Sequence, residues 1–141
     1  MKRHESLIPF SRFHRSCLFL ALIAKENAPA VKGYPTEIDD KISYAIDFFQ
    51  RKLTPHFKEE QRLWEFVQEK SHTLKTIVNE LRTERSKLIG LFDSLEIHRD
   101  IPSFFEIGAL LEMHVRKEER VLFQQIQSDL SEKELLQIQS I

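Results

Sequence analysis

Cysteine, glycine and proline are all scarce in this chain of 141 residues, which has one cysteine, three glycines and five prolines. The single cysteine, Cys17, excludes an intramolecular disulfide framework and any zinc site built from several thiolates. Three glycines leave little material for phosphate-binding loops or tight hairpins. An excess of one charge is also absent, since 22 acidic side chains face 21 basic ones, so the chain lacks the basic surface of a general nucleic-acid-binding protein.

Long hydrophobic runs are missing too. The longest apolar run, 17–24, has eight residues, whereas a transmembrane helix needs about 20. A secretory signal peptide would use Lys2 and Arg3 as its basic start and this run as its apolar core. Glu5 and His14 lie between them, and the run shares a helical period with its flanks, which disfavours that interpretation. We therefore expect no membrane partner, no nucleic-acid partner and a cytoplasmic location.

Four segments carry hydrophobic residues with the helical period of about 3.6, and none alternates for long with the period of two that marks a strand. The first helix is expected to begin after Pro9 and to run to about Asn27, with Ser11 as a possible cap. A loop with two prolines and a glycine follows at 28–35. The second helix is long, about 36–69, and Pro55 is expected to bend it because proline lacks a backbone donor.

The second half of the chain predicts two more helices. Ser71 is expected to cap the third helix, and after a link around 98–102, Ser103 is expected to cap the last one. Four helices with short links predict an all-α, up-down-up-down four-helix bundle over residues 1–127. The remaining segment, 128–141, is expected to be a short helix or a frayed tail.

Two of the predicted helices carry the same short element, His-x-x-x-Glu, as His56 with Glu60 and as His114 with Glu118. Residues four apart share one face of a helix, so each imidazole lies on the same side as its carboxylate. All four fall on apolar helix faces, and His14 does so on the first helix. Ionisable groups are costly there unless they are paired or bind a metal, so these five residues are the candidate metal ligands.

Distances along the chain from the helix connections place these five residues at comparable heights in an antiparallel bundle, as one layer. A lone histidine on an apolar face is usually a hydrogen-bonded core residue, but three histidines and two glutamates from three helices favour a metal site. Imidazole and carboxylate without thiolate suit iron, manganese or zinc. Two carboxylates in one layer are able to bridge two metal ions.

These residues and the phrases around them resemble the hemerythrin-like (HHE) domain family. The phrases are Ser-Arg-Phe-His14, Pro-His56-Phe-Lys-Glu-Glu60 and His114-Val-Arg-Lys-Glu118, and the resemblance covers nearly the whole chain. It implies a four-helix bundle that holds a non-haem di-iron centre. It further implies that His14 and His56 bind one iron, that His114 binds the other, and that Glu60 and Glu118 bridge them.

The third helix departs from the family pattern, which usually places a histidine ligand there, often directly after a glutamate. This chain has Glu84 followed by Arg85 at that place. Arginine stays protonated and has no lone pair for a metal. We therefore expect at most one firmly bound metal, and a guanidinium that pairs with Glu60 or Glu118. Occupancy by two ions, one ion or none stays open.

Two functions follow from this site. The first is a non-haem iron-binding domain that senses or binds a small diatomic ligand such as dioxygen, or that handles iron or redox stress. The alternative is a metal-free bundle that serves as an interaction or regulatory module, and Arg85 is its main support. An oxidase or peroxidase is less supported, because no separate acid–base pair or organic substrate site is recognisable in the sequence.

Overall fold

In the computed structural model, which describes residues 2–141, every regular element of the described residues is helical. The predicted all-α fold class is therefore confirmed. Two π-helical turns, Phe49–Leu53 and Glu118–Leu122, interrupt the long helical segments, and a 3-10 turn follows at Ile138–Ser140. The α-helices are α1 (Ile8–Ile23), α2 (Ile38–Phe48), α3 (Thr54–Val67), α4 (His72–His98), α5 (Ile101–Lys117), α6 (Phe123–Asp129) and α7 (Glu132–Gln137).

The first helix lies slightly earlier in the chain than the predicted one, which begins after Pro9 and runs to about Asn27. It begins at Ile8, with Pro9 in its first turn, where the missing backbone N–H of proline is not needed by the helix. It ends at Ile23, and the N–H of Ala24 closes the last turn on the carbonyl of Leu20. The expected cap Ser11 is therefore inside the helix, so that part of the prediction is wrong.

The predicted second helix, 36–69, is two α-helices joined by a π-helical turn. α2 begins at Ile38 without a side-chain cap, α3 ends at Val67, and the turn Phe49–Leu53 separates them. Pro55 lies in the first turn of α3, and in an unbroken α-helix its ring would clash with the carbonyl four residues earlier. The disturbance expected at Pro55 therefore takes the form of a wider turn before it.

One of the two expected caps in the second half is confirmed, and the other is wrong. The hydroxyl of Ser71 accepts a hydrogen bond from the N–H of Leu74 at 3.1 Å and so caps α4. The cap of α5 is Asp100, whose carboxylate accepts from the N–H of Ser103 at 3.0 Å. Arg99, the last residue before this cap, takes the left-handed conformation that closes many helices.

Two hydrophobic clusters make up the core. The first is formed where α2 meets the end of α4 and the start of α5, and it includes Leu20, Leu53, Leu88, Phe92, Phe104 and Leu111. The second is formed around α6 and the start of α4, and it includes Leu7, Leu63, Leu81, Leu122, Phe123 and Ile126. Apart from Ser6, the buried polar side chains of residues 2–141 are the five candidate ligands, which belong to neither cluster.

Each long helical segment changes from one cluster to the other at the same level as these polar residues. The change falls between Leu7, which precedes α1, and Cys17 within it, between Phe57 and Leu63 on α3, and between Leu81 and Leu88 on α4. In the last segment it falls between Val115, near the end of α5, and Leu122 in the π-helical turn that follows. Three of the four changes carry a buried ionisable side chain, which is His14, Glu60 or Glu118, and the change on α4 carries the half-buried Arg85. The fold thus places a polar layer between two apolar ones.

The segment after α6 packs on the second cluster. A capping box at Ser131 and Glu134 starts α7, and Leu135 and Ile138 are buried against the cluster. Of the helices in residues 2–141, none combines the length and the hydropathy that a bilayer crossing requires.

Candidate metal centre

The structure brings all five candidate ligands together. His14 comes from α1, His56 and Glu60 from α3, His114 from α5, and Glu118 from the π-helical turn that follows α5. None of the five is more than 6 % exposed. We call these five residues the polar cluster.

The ligand atoms of the polar cluster fall into two groups that share Glu60. One group is His14, His56 and Glu60, and the other is Glu60, His114 and Glu118. Within each group, the nearest imidazole nitrogen or carboxylate oxygen of every residue lies within 4.8 Å of the others. Each group therefore has the dimensions of a three-residue metal site, and the shared carboxylate joins them.

All three imidazoles turn Nε2 towards the carboxylates. His56 Nε2 lies 2.8 Å from Glu60 Oε2, and His114 Nε2 lies 3.1 Å from Glu118 Oε1. His14 Nε2 lies 3.7 Å from an oxygen of each glutamate, which places it between the two groups. The Nε2 atoms of the three histidines and the carboxylate oxygens of the two glutamates thus face one another inside the bundle.

Four ligand atoms of the polar cluster are buried without any hydrogen-bond partner in the described residues. They are His14 Nε2, His114 Nε2, Glu60 Oε1 and Glu118 Oε2. A buried polar atom left in this way costs about 1–3 kcal/mol, and more when the group is charged. Metal ions bound in the two groups would give these unpartnered atoms partners, so the donor set and its unmet bonds both fit a metal site.

Two further glutamates orient the histidines from behind. His14 Nδ1 donates to Glu119 Oε2 at 2.6 Å, and His114 Nδ1 donates to Glu84 Oε1 at 2.9 Å. A carboxylate at Nδ1 fixes the tautomer that leaves the Nε2 lone pair for a metal, and metal-binding histidines almost always have such a partner. We call Glu84 and Glu119 the outer carboxylates.

The outer carboxylates are themselves held in place. Glu119 accepts from the hydroxyl of Ser11 at 2.8 Å and from Arg3 at 3.3 Å, while Glu84 accepts from Lys117 at 3.1 Å. Sequence reasoning missed both roles. Glu119 follows Glu118 and Glu84 precedes Arg85, but a hydrogen bond between two helices has no fixed spacing in the sequence.

Aromatic rings enclose the polar cluster. Phe13 stacks on His56 with 4.0 Å between ring centroids, and Phe123 stacks on His14 at 5.7 Å. Trp64 meets His114 edge-on at 6.2 Å. Cys17 is also buried nearby, and burial together with Glu60 and Glu118 raises the pKa of its thiol, which is consistent with a small core residue.

When no metal is present, the neighbouring carboxylates favour the protonated forms of His14 and His114. Burial lowers the pKa of His14, but Glu118, Glu119 and Glu60 outweigh it and raise that pKa to about 10. Burial likewise lowers the pKa of His114, and Glu118 and Glu84 raise it to about 9. His14 and His114 are therefore cationic at neutral pH, and a metal must displace their protons.

The pKa values of the two central carboxylates are shifted in opposite directions. Burial, followed by the charge of Glu60, raises the pKa of Glu118 to about 7. Burial also acts to raise the pKa of Glu60, but the neighbouring imidazoles of His14 and His56 outweigh it and lower that pKa below its usual range. Two neighbouring buried carboxylates share protons as a pair because their negative charges repel, and a cation bound to both would offset that repulsion.

The expected ion pair between Arg85 and Glu60 or Glu118 is not formed, so that prediction is wrong. Arg85 Nη1 donates to the carbonyl of Phe57 at 3.3 Å, and Nη2 donates to the side chain of Gln61. Its guanidinium carbon lies 4.2 Å from the Trp64 ring centroid. The guanidinium thus lies over the ring, and the side chain stays half-buried, which avoids burying the charge completely.

Comparison with known proteins gives one family. The model of the hemerythrin HHE cation binding domain matches residues 12–126. No curated protein and no solved structure matches the chain. The matched range contains the whole polar cluster and both outer carboxylates.

Proposed function

The chain belongs to the hemerythrin HHE cation-binding family, and from that premise we propose that it is a non-haem iron-binding domain. His14, His56, Glu60, His114 and Glu118 are the proposed ligands. The observation that carries the proposal is the set of four ligand atoms that are buried and unpartnered in one interior. Nitrogen and carboxylate donors without thiolate match the preference of iron, with manganese and zinc as competitors.

The two halves of the polar cluster are unequal. His14, His56 and Glu60 form a set of two imidazoles and one carboxylate, which is typical of non-haem Fe(II) sites with open positions. The other half has one imidazole, His114, and shares Glu60 with the first. We propose that one ion binds firmly at the first half, and that a second binds more weakly because Arg85 supplies no ligand.

A small diatomic ligand such as dioxygen is the proposed binding partner of the iron. A bound ferrous ion would supply an open coordination position for such a molecule. The protein supplies the enclosure, because the ligands are at most 6 % exposed and Phe13 and Phe123 stack on two of the imidazoles. The outer carboxylates keep a proton on Nδ1 of His14 and His114, so that each Nε2 faces the metal.

We propose an up-down-up-down order for the four long helical segments and a cytoplasmic location. Short connections between helices favour antiparallel neighbours, and each segment crosses the polar layer once. Cys17 is a buried free thiol, which suits a reducing compartment.

Iron loading without oxygen, followed by elemental analysis, tests the function. We expect about one firmly retained iron per chain after desalting, and Glu60→Gln to abolish retention because both halves of the cluster use Glu60. Glu59→Gln is the matched control, since Glu59 is exposed on the same helix. Wild-type protein that retains no iron would contradict the proposal.

The alternative function is a metal-free bundle that acts as an interaction or regulatory module. Arg85 in place of a fourth helical ligand favours it, as does the direct contact of His56 Nε2 with Glu60 at 2.8 Å. A colourless protein without metal after iron loading would support this function over iron binding.

A further inference from the structure

An open cavity of about 650 Å³ lies between α3 and α4, outside the polar cluster. Its volume falls in the range of about 300–1,000 Å³ that small-molecule sites occupy. Its apolar wall is formed by Phe49, Phe57 and Ile89. None of the five ligands lines it, so nothing in the proposed iron site explains it.

The charged residues of this cavity are mostly of one sign. Lys58, Arg62 and Arg85 line it, against a single acid, Glu65. Glu65 already accepts a hydrogen bond from the amide of Gln61 at 3.0 Å. None of the three cations forms an ion pair with another of the described residues 2–141. The cavity therefore offers two uncompensated positive charges to a ligand.

Of these three cations, Arg85 is the most buried and has its guanidinium held in place by contacts with the protein. It is half-buried, and its two protein acceptors, the carbonyl of Phe57 and the side chain of Gln61, are both neutral. Its guanidinium lies over Trp64 at 4.2 Å and near the ring of Phe57 at 5.8 Å. Two of its five N–H groups are used, so three stay available for an anion.

The surroundings select the kind of anion. Phosphate sites usually draw on free backbone N–H groups at helix N-termini or in loops, whereas the residues around Arg85 lie within α3 and α4, where the backbone is already paired. A guanidinium binds a planar carboxylate through two parallel hydrogen bonds. The aromatic and aliphatic wall favours a ligand that has an apolar body next to its charged group.

We propose that the cavity between α3 and α4 binds an organic carboxylate with an aromatic or other apolar body, and that Arg85 holds the carboxylate. Lys58 and Arg62 add charge at the rim, and Phe49, Phe57 and Ile89 contact the body. The site uses no residue of the polar cluster, so it binds its ligand whether or not the cluster holds iron.

Benzoate is the probe that tests this site. Trp64 is the only tryptophan in the chain and lies under the guanidinium, so its fluorescence reports movement of Arg85. We expect a saturable change in fluorescence with added benzoate, matched by calorimetric titration. Arg85→Gln is expected to weaken binding at least about tenfold, because a charge-assisted pair is lost.

Arg82→Gln is the matched control. Arg82 lies on the same helix, donates to Gln68 and Asn79, and does not line the cavity. We expect benzoate to bind this variant as it binds the wild type. Thermal unfolding of each variant establishes that it is folded. If Arg85→Gln does not fold, the double variant of Lys58→Gln and Arg62→Gln takes its place. We expect that double variant to bind benzoate at least about threefold more weakly than the wild type.

Four results would overturn the proposal. The first is the absence of a saturable response to benzoate. The second and third are benzyl alcohol binding as tightly as benzoate, and inorganic phosphate binding more tightly than benzoate. The fourth is wild-type affinity for benzoate in folded Arg85→Gln or, where that variant does not fold, in the double variant. Equal binding of benzyl alcohol would make the cavity a purely apolar pocket. Tighter binding of phosphate would assign it to a different class of anion.

Discussion

At the scale of single residues, the outer carboxylates decide how the histidines are presented. Glu119 accepts from Nδ1 of His14 at 2.6 Å and Glu84 from Nδ1 of His114 at 2.9 Å. Neither is a proposed ligand, yet each fixes which nitrogen carries the proton and which keeps its lone pair. Their effect on the metal is therefore separable from the effect of the ligands.

Replacing Glu119 with glutamine is expected to weaken iron binding by about 10- to 100-fold without unfolding the protein. The amide is a poorer partner for the Nδ1 proton of His14 and also loses the charge that Arg3 contacts at 3.3 Å. Titration of the metal-free variant with Fe(II) measures the effect, with Glu59→Gln as the exposed control. Unchanged affinity in Glu119→Gln would show that Glu119 does not orient the ligand.

The protonated histidines predict how the stability of the metal-free protein varies with pH. The pKa values of His14 and His114 in the folded protein are raised to about 10 and about 9, above about 6.5 in an unfolded chain. A group whose pKa is raised by folding stabilises fully below its unfolded pKa, and that stability is lost as the pH rises through the folded value. The contribution therefore declines between about pH 6.5 and pH 10.

Thermal unfolding in the presence of a chelator measures this decline. The unfolding midpoint is expected to fall from pH 6.5 to pH 10 in the wild type, and to fall less in His14→Gln, which lacks one of the two groups. His72→Gln removes an exposed histidine and is expected to keep the wild-type slope. A His14→Gln slope equal to that of the wild type would contradict the assignment.

The sequence predicted which residues enter the cluster, but not how every side chain in its surroundings is oriented. Spacing of four on an apolar face is sufficient to predict that His56 and Glu60 lie together, because helix geometry fixes their relation. The direction of Arg85 is not fixed in this way, since its long side chain reaches either the cluster or the surface from one backbone position. The cost of desolvating a guanidinium favours the surface. Only the structure shows that the guanidinium of Arg85 contacts Trp64 and Gln61 there.

At the scale of elements, both His-x-x-x-Glu segments adjoin a π-helical turn. Phe49–Leu53 directly precedes α3, and Glu118 begins the turn Glu118–Leu122. Such turns are frequent at functional sites, where they shift the following residues around the helix. A hydrophobic period of 3.6 does not reveal one extra residue in a turn, which explains why the sequence predicts one long helix over 36–69, bent at Pro55, and not two helices joined by a π-helical turn.

The close approach of α1 and α5 also depends on one residue, Gly108. A Cβ at this position would lie 2.6 Å from the Cβ of Ala24 and 3.3 Å from the carbonyl oxygen of Ala21. The two helices carry His14 and His114, so their separation sets the width of the polar cluster. From sequence, a glycine within a helix indicates only a weaker helix.

Gly108→Ala is therefore expected to destabilise the protein by about 1–3 kcal/mol, although alanine is the better helix former. Gly90→Ala is the matched control, because Gly90 is exposed on α4 and a Cβ there meets nothing within 4 Å. That control is expected to stabilise by up to about 1 kcal/mol. Denaturant unfolding compares the two, and equal effects would contradict the close packing of α1 on α5.

At the scale of the whole molecule, a polar layer separates two apolar clusters, and the chain after α6 belongs to one of them. Leu135 of α7 is 6 % exposed and packs on the second cluster, whereas its neighbour Leu136 is 41 % exposed. The sequence predicts either a short helix or a frayed tail for 128–141, because a segment this short has too few turns for its hydrophobic period to decide between them.

Leu135→Ala is expected to cost about 2–3 kcal/mol of unfolding free energy, because it leaves a cavity in the second cluster. Leu136→Ala is expected to cost less than about 0.5 kcal/mol, since this side chain is exposed. Chemical denaturation of both variants measures the difference. Similar small losses in both would mean that α7 is not part of the folded core.

The central claim is that the polar layer holds iron, and anomalous X-ray scattering at the iron absorption edge tests it most directly. In crystals of the iron-loaded protein, we predict an anomalous peak bounded by His14, His56 and Glu60. A second, weaker peak is expected towards His114 and Glu118 if another ion binds. Iron-loaded crystals with no anomalous peak among these five residues would contradict the account.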